Sequence, residues 1–255
     1  MFFIYFLTSI IATSLGALAG LGGGVIIKPV LDTLGTYDLG TIGILSSFTV
    51  FSMAIVSIFK QVKCGFKIEL RMIILAVGSI LGGGLGQELF DIFLNFISND
   101  RISMGIQSLI LASLLIGVLF KNKLPKYHIK HPIFILFLGI ILGATASFLG
   151  IGGGPINVAI LVMFLSIPIK EAATNSVFII LLSQFSKLFL IGISGSLMNY
   201  NLTMLPYMII GGISGGLIGS KLNKSLTYKS IESIFNFSLI GIIALNLFYA
   251  YKAFL

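Results

Sequence analysis

The sequence has few charged residues and few of the residue types that build metal centres or cross-links. Only 9% of its 255 residues are charged, while 57% are hydrophobic. A water-soluble domain of this size needs more polar surface, so the composition excludes that class. The single cysteine, Cys64, excludes an internal disulfide and a cysteine-rich metal site.

Motifs of hydrolases and ATP-driven pumps are also missing. The sequence contains no HExxH, no GxSxG and no P-loop. His128 and His131 lie in a basic polar segment without metal-ligand spacing, where a solvated loop is expected. We therefore expect no enzyme activity, no cofactor and no metal site.

Long apolar segments dominate what remains. They approach the ~20 residues that span a hydrocarbon core. They lack the alternating period of barrel strands, and lipid offers no partner to an unpaired backbone group, so they should be helices. The predicted fold class is an all-α polytopic membrane protein. The eight segments are 2–19, 40–59, 72–86, 102–120, 133–149, 172–193, 204–220 and 231–251.

The first apolar segment ends in Ala17, Leu18 and Ala19, a pattern that resembles a signal-peptidase site. No basic residue precedes the segment, however, as a signal peptide would require. The same glycine-containing pattern also recurs at 143–155, far inside the chain. We therefore expect residues 1–20 to belong to the mature protein.

The net charge of +8 comes from lysines and arginines in short connections. This distribution indicates membrane topology and predicts no nucleic-acid partner. Segments 60–71, 121–131 and 221–230 are all basic, whereas 194–203 is uncharged. A conventional eight-span arrangement puts 221–230 outside. Halves of inverted orientation, each beginning with a re-entrant hairpin, put it inside, and we favour that arrangement.

The two halves of the sequence share a glycine pattern. Two repeats are predicted, at 1–121 and 132–255, joined by a basic linker at 122–131. A shift of 130 residues aligns Gly20, Gly22, Gly23 and Gly24 with Gly150, Gly152, Gly153 and Gly154, and a shift of 133 aligns Gly78, Gly82 and Gly86 with Gly211, Gly215 and Gly219.

Glycine-interrupted segments at matching places in two repeats are typical of secondary transporters, whose sites lie at the repeat interface. Consecutive glycines break a helix, and the helix that restarts presents unpaired N–H donors and a positive dipole end to an anion. Pro155 suits the first position of such a helix. Close helix packing is the alternative role for Gly22–Gly24 and Gly152–Gly154. It is the expected role for the glycines spaced by four residues.

Two lysines fall inside predicted apolar segments. Lys28 follows the first glycine break by four residues and could supply positive charge to an anion. Lys187 could be a second anion partner or part of a proton relay. For both lysines the alternative is that the side chain reaches out to water at an interface.

Polar side chains also follow each break. Ser46 in the first half and Asn175 and Ser176 in the second could line the pathway, and interhelical hydrogen bonds are the alternative. Asp32, Asp38 and Glu171 are expected in caps or at the surface.

The stretches GLGGGVIIKPVL and GIGGGPINVAIL, each opening one half of the chain, resemble the sulfite exporter TauE/SafE family over essentially the whole sequence. The resemblance implies transport of sulfite, sulfoacetate or other organosulfonates, coupled to an ion gradient. Three positions depart from the family pattern. Lys28 and Asn157 replace apolar residues and Ala159 replaces a proline, so the substrate can differ from the family's best-known one.

The combined prediction is a secondary carrier of small sulfur-containing anions in a bacterial inner membrane, with alternating access and a coupling proton or sodium ion. An anion channel and a non-transporting membrane scaffold are the alternatives. The predicted substrate site consists of Gly22, Gly23, Gly24, Lys28, Ser46, Gly152, Gly153, Gly154, Pro155, Asn157, Asn175, Ser176 and Lys187.

Overall fold

The computed structural model describes residues 2–97, 100–120, 127–149, 153–195, 197 and 200–255. These residues form ten α-helices and no β-strand, which confirms the predicted all-α class. The helices are α1 (Phe2–Ala19), α2 (Gly24–Leu34), α3 (Leu39–Lys63), α4 (Leu70–Phe96), α5 (Asp100–Leu119), α6 (Pro132–Leu149), α7 (Gly154–Phe164), α8 (Ile169–Ile193), α9 (Leu205–Ser225) and α10 (Tyr228–Phe254).

Two of these helices are too short to cross a bilayer. Both α2 and α7 have 11 residues, or roughly 16 Å at ~1.5 Å per residue. The eight predicted apolar segments each coincide with one of the longer helices, with residues 120 and 204 lying one position outside α5 and α9. Seven of those are apolar enough to be candidate membrane spans. The eighth, α9, is helical over 21 residues but rich in glycine and serine.

Each short helix folds back along the helix before it. The hydroxyl groups of Tyr5, near the start of α1, and Thr36, just beyond α2, form a hydrogen bond. In the second half, the backbone N–H of Tyr127, ahead of α6, donates to the carbonyl of Met163 near the end of α7, at 2.7 Å. Both halves therefore begin with a re-entrant hairpin, as the sequence predicted.

The glycines spaced by four residues bring pairs of helices into backbone contact. A Cβ added to Gly82 of α4 would overlap the carbonyl of Ile140 in α6, and the same holds for Gly86 and the carbonyl of Ala144. Contacts therefore advance together along both helices, which means that α4 and α6 run in the same direction. The packing role predicted for these glycines is confirmed.

An equivalent contact joins α1 to α9. A Cβ on Gly211 would meet Ser9, and one on Gly215 would meet Thr13, so this pair is also parallel. Gly212 and Gly216 of α9 meet Thr49 and Met53 of α3 in the same order, so α3 runs parallel to α9 and therefore to α1. Because α4 turns back from α3 after a short connection and α6 runs parallel to α4, the first helices of the two halves, α1 and α6, have opposite orientations. This supports the inverted arrangement over the conventional eight-span count. Descent of the two halves from one repeat, with boundaries at 121 and 132, stays a prediction.

Basic side chains gather at one end of the bundle. There Lys60 of α3 donates to the carbonyl of Leu217 at 2.9 Å, and Lys170 of α8 donates to that of Leu226 at 2.9 Å. The positive-inside rule indicates that this end faces the cytoplasm. In the described part of the chain it carries Lys60, Lys63, Lys67, Arg71, Lys130, Lys170, Lys221, Lys224 and Lys229, against Arg101 and Lys252 at the opposite end.

Large apolar side chains cover the outside of the bundle. Phe3 is 70% exposed, Phe137 is 59% exposed and Phe237 is 80% exposed. Hydrocarbon is a suitable environment for such a surface, because the helices satisfy their own backbone hydrogen bonds. The structure thus has the character of a multi-pass integral membrane protein.

Candidate functional site

The tips of the two re-entrant hairpins are tight turns that depend on glycine. The φ angles of Gly20, Gly22 and Gly23 are 75°, 79° and 73°, and that of Gly153 is 71°. Side chains rarely adopt this left-handed region, so only glycine turns the chain here without strain. Gly152 lies outside the described residues. Pro155 lies in the first turn of α7, as predicted.

The two hairpin tips contact each other inside the bundle. A Cβ on Gly154 would overlap the backbone of Leu21. The hydroxyl of Ser176, on α8, hydrogen-bonds to the carbonyl oxygens of Gly20 at 2.7 Å and of Gly154 at 3.2 Å. Ser176 therefore links the two breaks, which is the interhelical role left open by the sequence.

Two adjoining cavities, which share four lining residues, lie toward the end of the bundle that carries Arg101 and Lys252. The outer chamber has a volume of about 160 Å³, and the inner cavity, of about 20 Å³, lies deeper. Asp32, Thr33, Arg101, Met104, Ser108, Tyr249, Lys252 and Ala253 line the outer chamber. Lys28, Pro29, Asp32, Met104, Gln107, Ser108, Leu111, Leu149, Asn246 and Tyr249 line the inner cavity.

Lys28 points into the bundle and lines the inner cavity. Its ammonium donates to Oε1 of Gln107 at 3.1 Å and to the carbonyl of Leu149 at 3.2 Å. Gln107 in turn donates to the carbonyl of Phe148 at 2.8 Å. Because Phe148 and Leu149 end α6, the two side chains cap the negative end of that helix just before the second glycine break. The alternative that Lys28 reaches to water at the surface is wrong.

Among the described residues, the Lys28 ammonium has two acceptors, which leaves one donor for another group. An ammonium carries three N–H donors, and Gln107 and Leu149 accept two of them. The inner cavity lies beside the same nitrogen. A ligand with an acceptor oxygen could take the remaining donor there.

Asp32 follows Lys28 by one helical turn and lines both cavities. The sequence suggested a cap or a surface position for it, and that prediction is wrong, because its side chain faces the cavities from the last turn of α2. Among the described residues, nothing hydrogen-bonds to its buried Oδ1. Asp38, in contrast, does cap a helix, since its carboxylate accepts from the backbone N–H of Thr41 at 3.1 Å.

A second lysine adds positive charge to this region. Lys187 of α8 is half-buried, and its ammonium lies close enough to that of Lys28 to repel it. Two cations that share an interior region favour the arrival of an anion. Lys187 is not among the residues that line the two cavities, and its role as an anion partner or proton relay stays a prediction.

Three other predicted residues are buried elsewhere in the bundle. Ser46 lies in α3. The Asn175 side chain donates to the carbonyl of Glu171 at 3.0 Å. The backbone N–H of Asn157 donates to the carbonyl of Gly153 at 2.8 Å. The amide oxygens of both asparagines are buried, and no described residue bonds to them. None of the three lines either cavity.

Several cavity residues were missed by the sequence reasoning. Gln107 and Asn246 are buried polar residues within otherwise apolar helices, and that isolation was a usable signal. Tyr249 lacked such a signal. Its hydroxyl donates to the carbonyl of Pro29 at 2.8 Å and also hydrogen-bonds to Thr33, which fixes α10 against α2.

Similarity to known proteins extends over almost the whole chain. The family model described as "Sulfite exporter TauE/SafE" matches residues 5–247. The chain is 26% identical over 271 residues to the "Probable membrane transporter protein YunE" of Bacillus subtilis, covering 94% of each chain. It is 29% identical over 252 residues to the "Probable membrane transporter protein MJ0441" of Methanocaldococcus jannaschii, covering 91% of this chain and 89% of that protein. No solved structure is significantly similar to it.

Proposed function

The chain belongs to the sulfite exporter TauE/SafE family of membrane transporters, and from that membership we propose that it is a secondary transporter of small sulfur-containing anions, sulfite or an organosulfonate. The observation that carries this proposal is the position of Lys28. Its ammonium lies at the inner end of a cavity that opens at one end of a membrane-embedded bundle. An intramembrane charge in such a place is a substrate-site residue by default.

The charges along the cavity suit an anion. Arg101 and Lys252 line its outer chamber and Lys28 lines the inner cavity, so three cations face the single carboxylate of Asp32 among the described lining residues. Positive charge along a low-dielectric passage raises the local concentration of anions. Oxyanions with several acceptor oxygens can accept from the Lys28 ammonium and from the hydroxyl of Ser108 in succession.

The size of the cavities indicates that the substrate is small and that the bundle must move. The outer chamber, at about 160 Å³, has room for several waters or one small oxyanion. The inner cavity, at about 20 Å³, holds roughly a single water. An anion therefore reaches Lys28 only if α2, α5 and α10 separate further.

Apolar side chains pack in the opposite part of the bundle. Toward the cytoplasmic end of α5 and α10, Leu115, Phe235 and Leu239 are fully buried. We infer from this packing and from the position of the outer chamber a state that is open toward the outside. We propose alternating access, in which the α2–α5–α10 side closes and the equivalent α7–α10–α5 side opens, as inverted halves allow. The central residues Ser46, Asn157, Asn175 and Ser176, with the glycines of both breaks, would then line the pathway between the two states.

Counterflow in liposomes tests this function. Purified protein is reconstituted, and uptake of labelled sulfite is measured against internal sulfite, sulfoacetate, taurine, thiosulfate, sulfate or lactate. Saturable exchange with a sulfur anion supports the carrier. Conductance without counterflow would identify an anion channel, and neither signal from folded protein would leave only the scaffold. Lys60→Gln serves as the control variant, because this lysine lies at the cytoplasmic end outside both cavities.

A further inference from the structure

Asp32 marks the junction of the outer chamber and the inner cavity. It is one of the residues that line both, whereas Lys28 lines only the inner one. Any anion that moves from the outer chamber to the Lys28 ammonium therefore passes the Asp32 carboxyl group. A fixed negative charge in this position would oppose the passage of the substrate.

The surroundings leave the Asp32 carboxyl group able to take a proton or a ligand. No described residue hydrogen-bonds to its buried Oδ1. The charged and titratable groups that face it are Lys28 on its own helix, Arg101 on α5, and Tyr249 and Lys252 on α10. Among the described residues, Lys28 and Tyr249 donate their hydrogen bonds to other acceptors. A buried oxygen without a donor is costly, and a proton or a ligand donor relieves that cost.

Protonation of Asp32 changes the net charge that an incoming anion meets. When Asp32 is ionised, it balances the charge of Lys28 one turn away, and the anion meets a negative group where the two cavities share lining residues. When Asp32 is protonated, the charge of Lys28 is unbalanced, and the carboxyl O–H can donate to an anion oxygen. The favourable state for entry is therefore the protonated one.

We propose that Asp32 carries the coupling proton, admitting an anion to Lys28 only in its protonated form, so that one proton moves with each anion. The proton arrives from water in the outer chamber, binds the carboxylate, and leaves on the side where the anion is released. Net transport then follows the sum of the anion and proton gradients. This inference rests on the proposed anion transport and specifies the coupling ion.

The Asp32→Asn variant should separate transport of the anion from transport of the proton. The amide has nearly the same shape and stays neutral, so it imitates the protonated carboxyl group without releasing a proton. We expect Asp32→Asn to exchange labelled sulfite while moving one proton fewer per anion than the unmodified protein. Asp38→Asn is the matched control, since Asp38 lies at the same end of the bundle but outside both cavities, and asparagine still caps a helix.

The measurement combines sulfite flux with the internal pH of the same proteoliposomes. Sulfite itself binds protons near neutral pH, but that contribution is common to all variants, so the difference between variants belongs to Asp32. An equal proton count in Asp32→Asn and the unmodified protein would overturn the inference, as would coupling to sodium. If Asp32→Asn fails to insert into the membrane, Asp32→Glu replaces it as the test. The inference then requires that Asp32→Glu moves as many protons per sulfite as the unmodified protein, and that this number exceeds the protons bound to sulfite itself.

The two proposals fail in different ways. Absence of sulfite counterflow in the unmodified, folded protein overturns the transport function itself. Counterflow without the extra proton leaves the transport function in place and overturns only the role of Asp32. Folded Asp32→Asn protein that binds but never exchanges sulfite would also contradict the inference, because a permanently neutral side chain should admit the anion.

Discussion

Substitution of Lys28 by glutamine should weaken anion transport sharply while leaving the bundle folded. The glutamine side chain keeps a donor that can reach one of the Lys28 acceptors, Gln107 Oε1 or the Leu149 carbonyl. It removes the positive charge and the donor that faces the inner cavity. Folding should therefore change little, and the loss should appear in the interaction with substrate.

The size of this effect follows from the bond that is lost. A hydrogen bond to a charged group contributes about 1.5–3 kcal/mol, and each ~1.4 kcal/mol is a factor of ten in an equilibrium constant. We expect the half-saturation concentration for sulfite counterflow to rise roughly 10- to 150-fold.

The assay is counterflow of labelled sulfite at a series of external concentrations, with equal amounts of reconstituted protein. Lys28→Arg keeps the charge and should lie between the glutamine variant and the unmodified protein. Lys60→Gln should not change the half-saturation concentration. If Lys28→Gln retains the original half-saturation concentration in folded protein, the ammonium does not bind the anion, and the proposed site is wrong.

Three further predictions concern packing and the hairpin tips. Gly82→Ala should destabilise the protein by about 1–3 kcal/mol and lower the midpoint of thermal unfolding, because the added Cβ overlaps the Ile140 carbonyl. Gly84→Ala is the control, since the space beside Gly84 is open. Equal midpoints for the two variants would contradict the contact. Gly154→Ala should abolish exchange, because its Cβ overlaps Leu21; normal exchange rates would show that the tips are not packed together. Ser176→Ala removes two hydrogen bonds from buried carbonyls and should lower the free energy of unfolding by about 1–3 kcal/mol. Denaturation in detergent measures this loss, and substitution of the exposed Ser194 by alanine is the control.

The membrane class and the re-entrant hairpins could be predicted because local sequence encodes them. Apolar length defines the long helices, and consecutive glycines such as Gly22–Gly24 stop a helix wherever they occur. Lys28 was identifiable for a similar reason, since a charge in an apolar run has few explanations.

The composition of the cavity could not be predicted in the same way. Asp32 lies close to Gly35 and Thr36, so its local sequence resembles the start of a turn, and only its position on the cavity-facing side of α2 reveals another role. Gln107 contacts Lys28 from 79 positions away, and Tyr249 contacts Pro29 from 220 positions away. Such pairs depend on how α5 and α10 pack against the hairpin, which neither periodicity nor spacing encodes.

The parallel pairing of α1 with α9 has a consequence for the synthesis of the protein. Thr13 hydrogen-bonds to Gly211, its partner 198 positions later. At a translation rate of about 5–20 residues per second, that partner leaves the ribosome some ~10–40 s after Thr13 does. During that interval the face of α1 that packs against α9 has no partner helix. The first hairpin therefore stays without this partner, in the bilayer or beside the insertion machinery, until α9 in the last quarter of the chain has been synthesised.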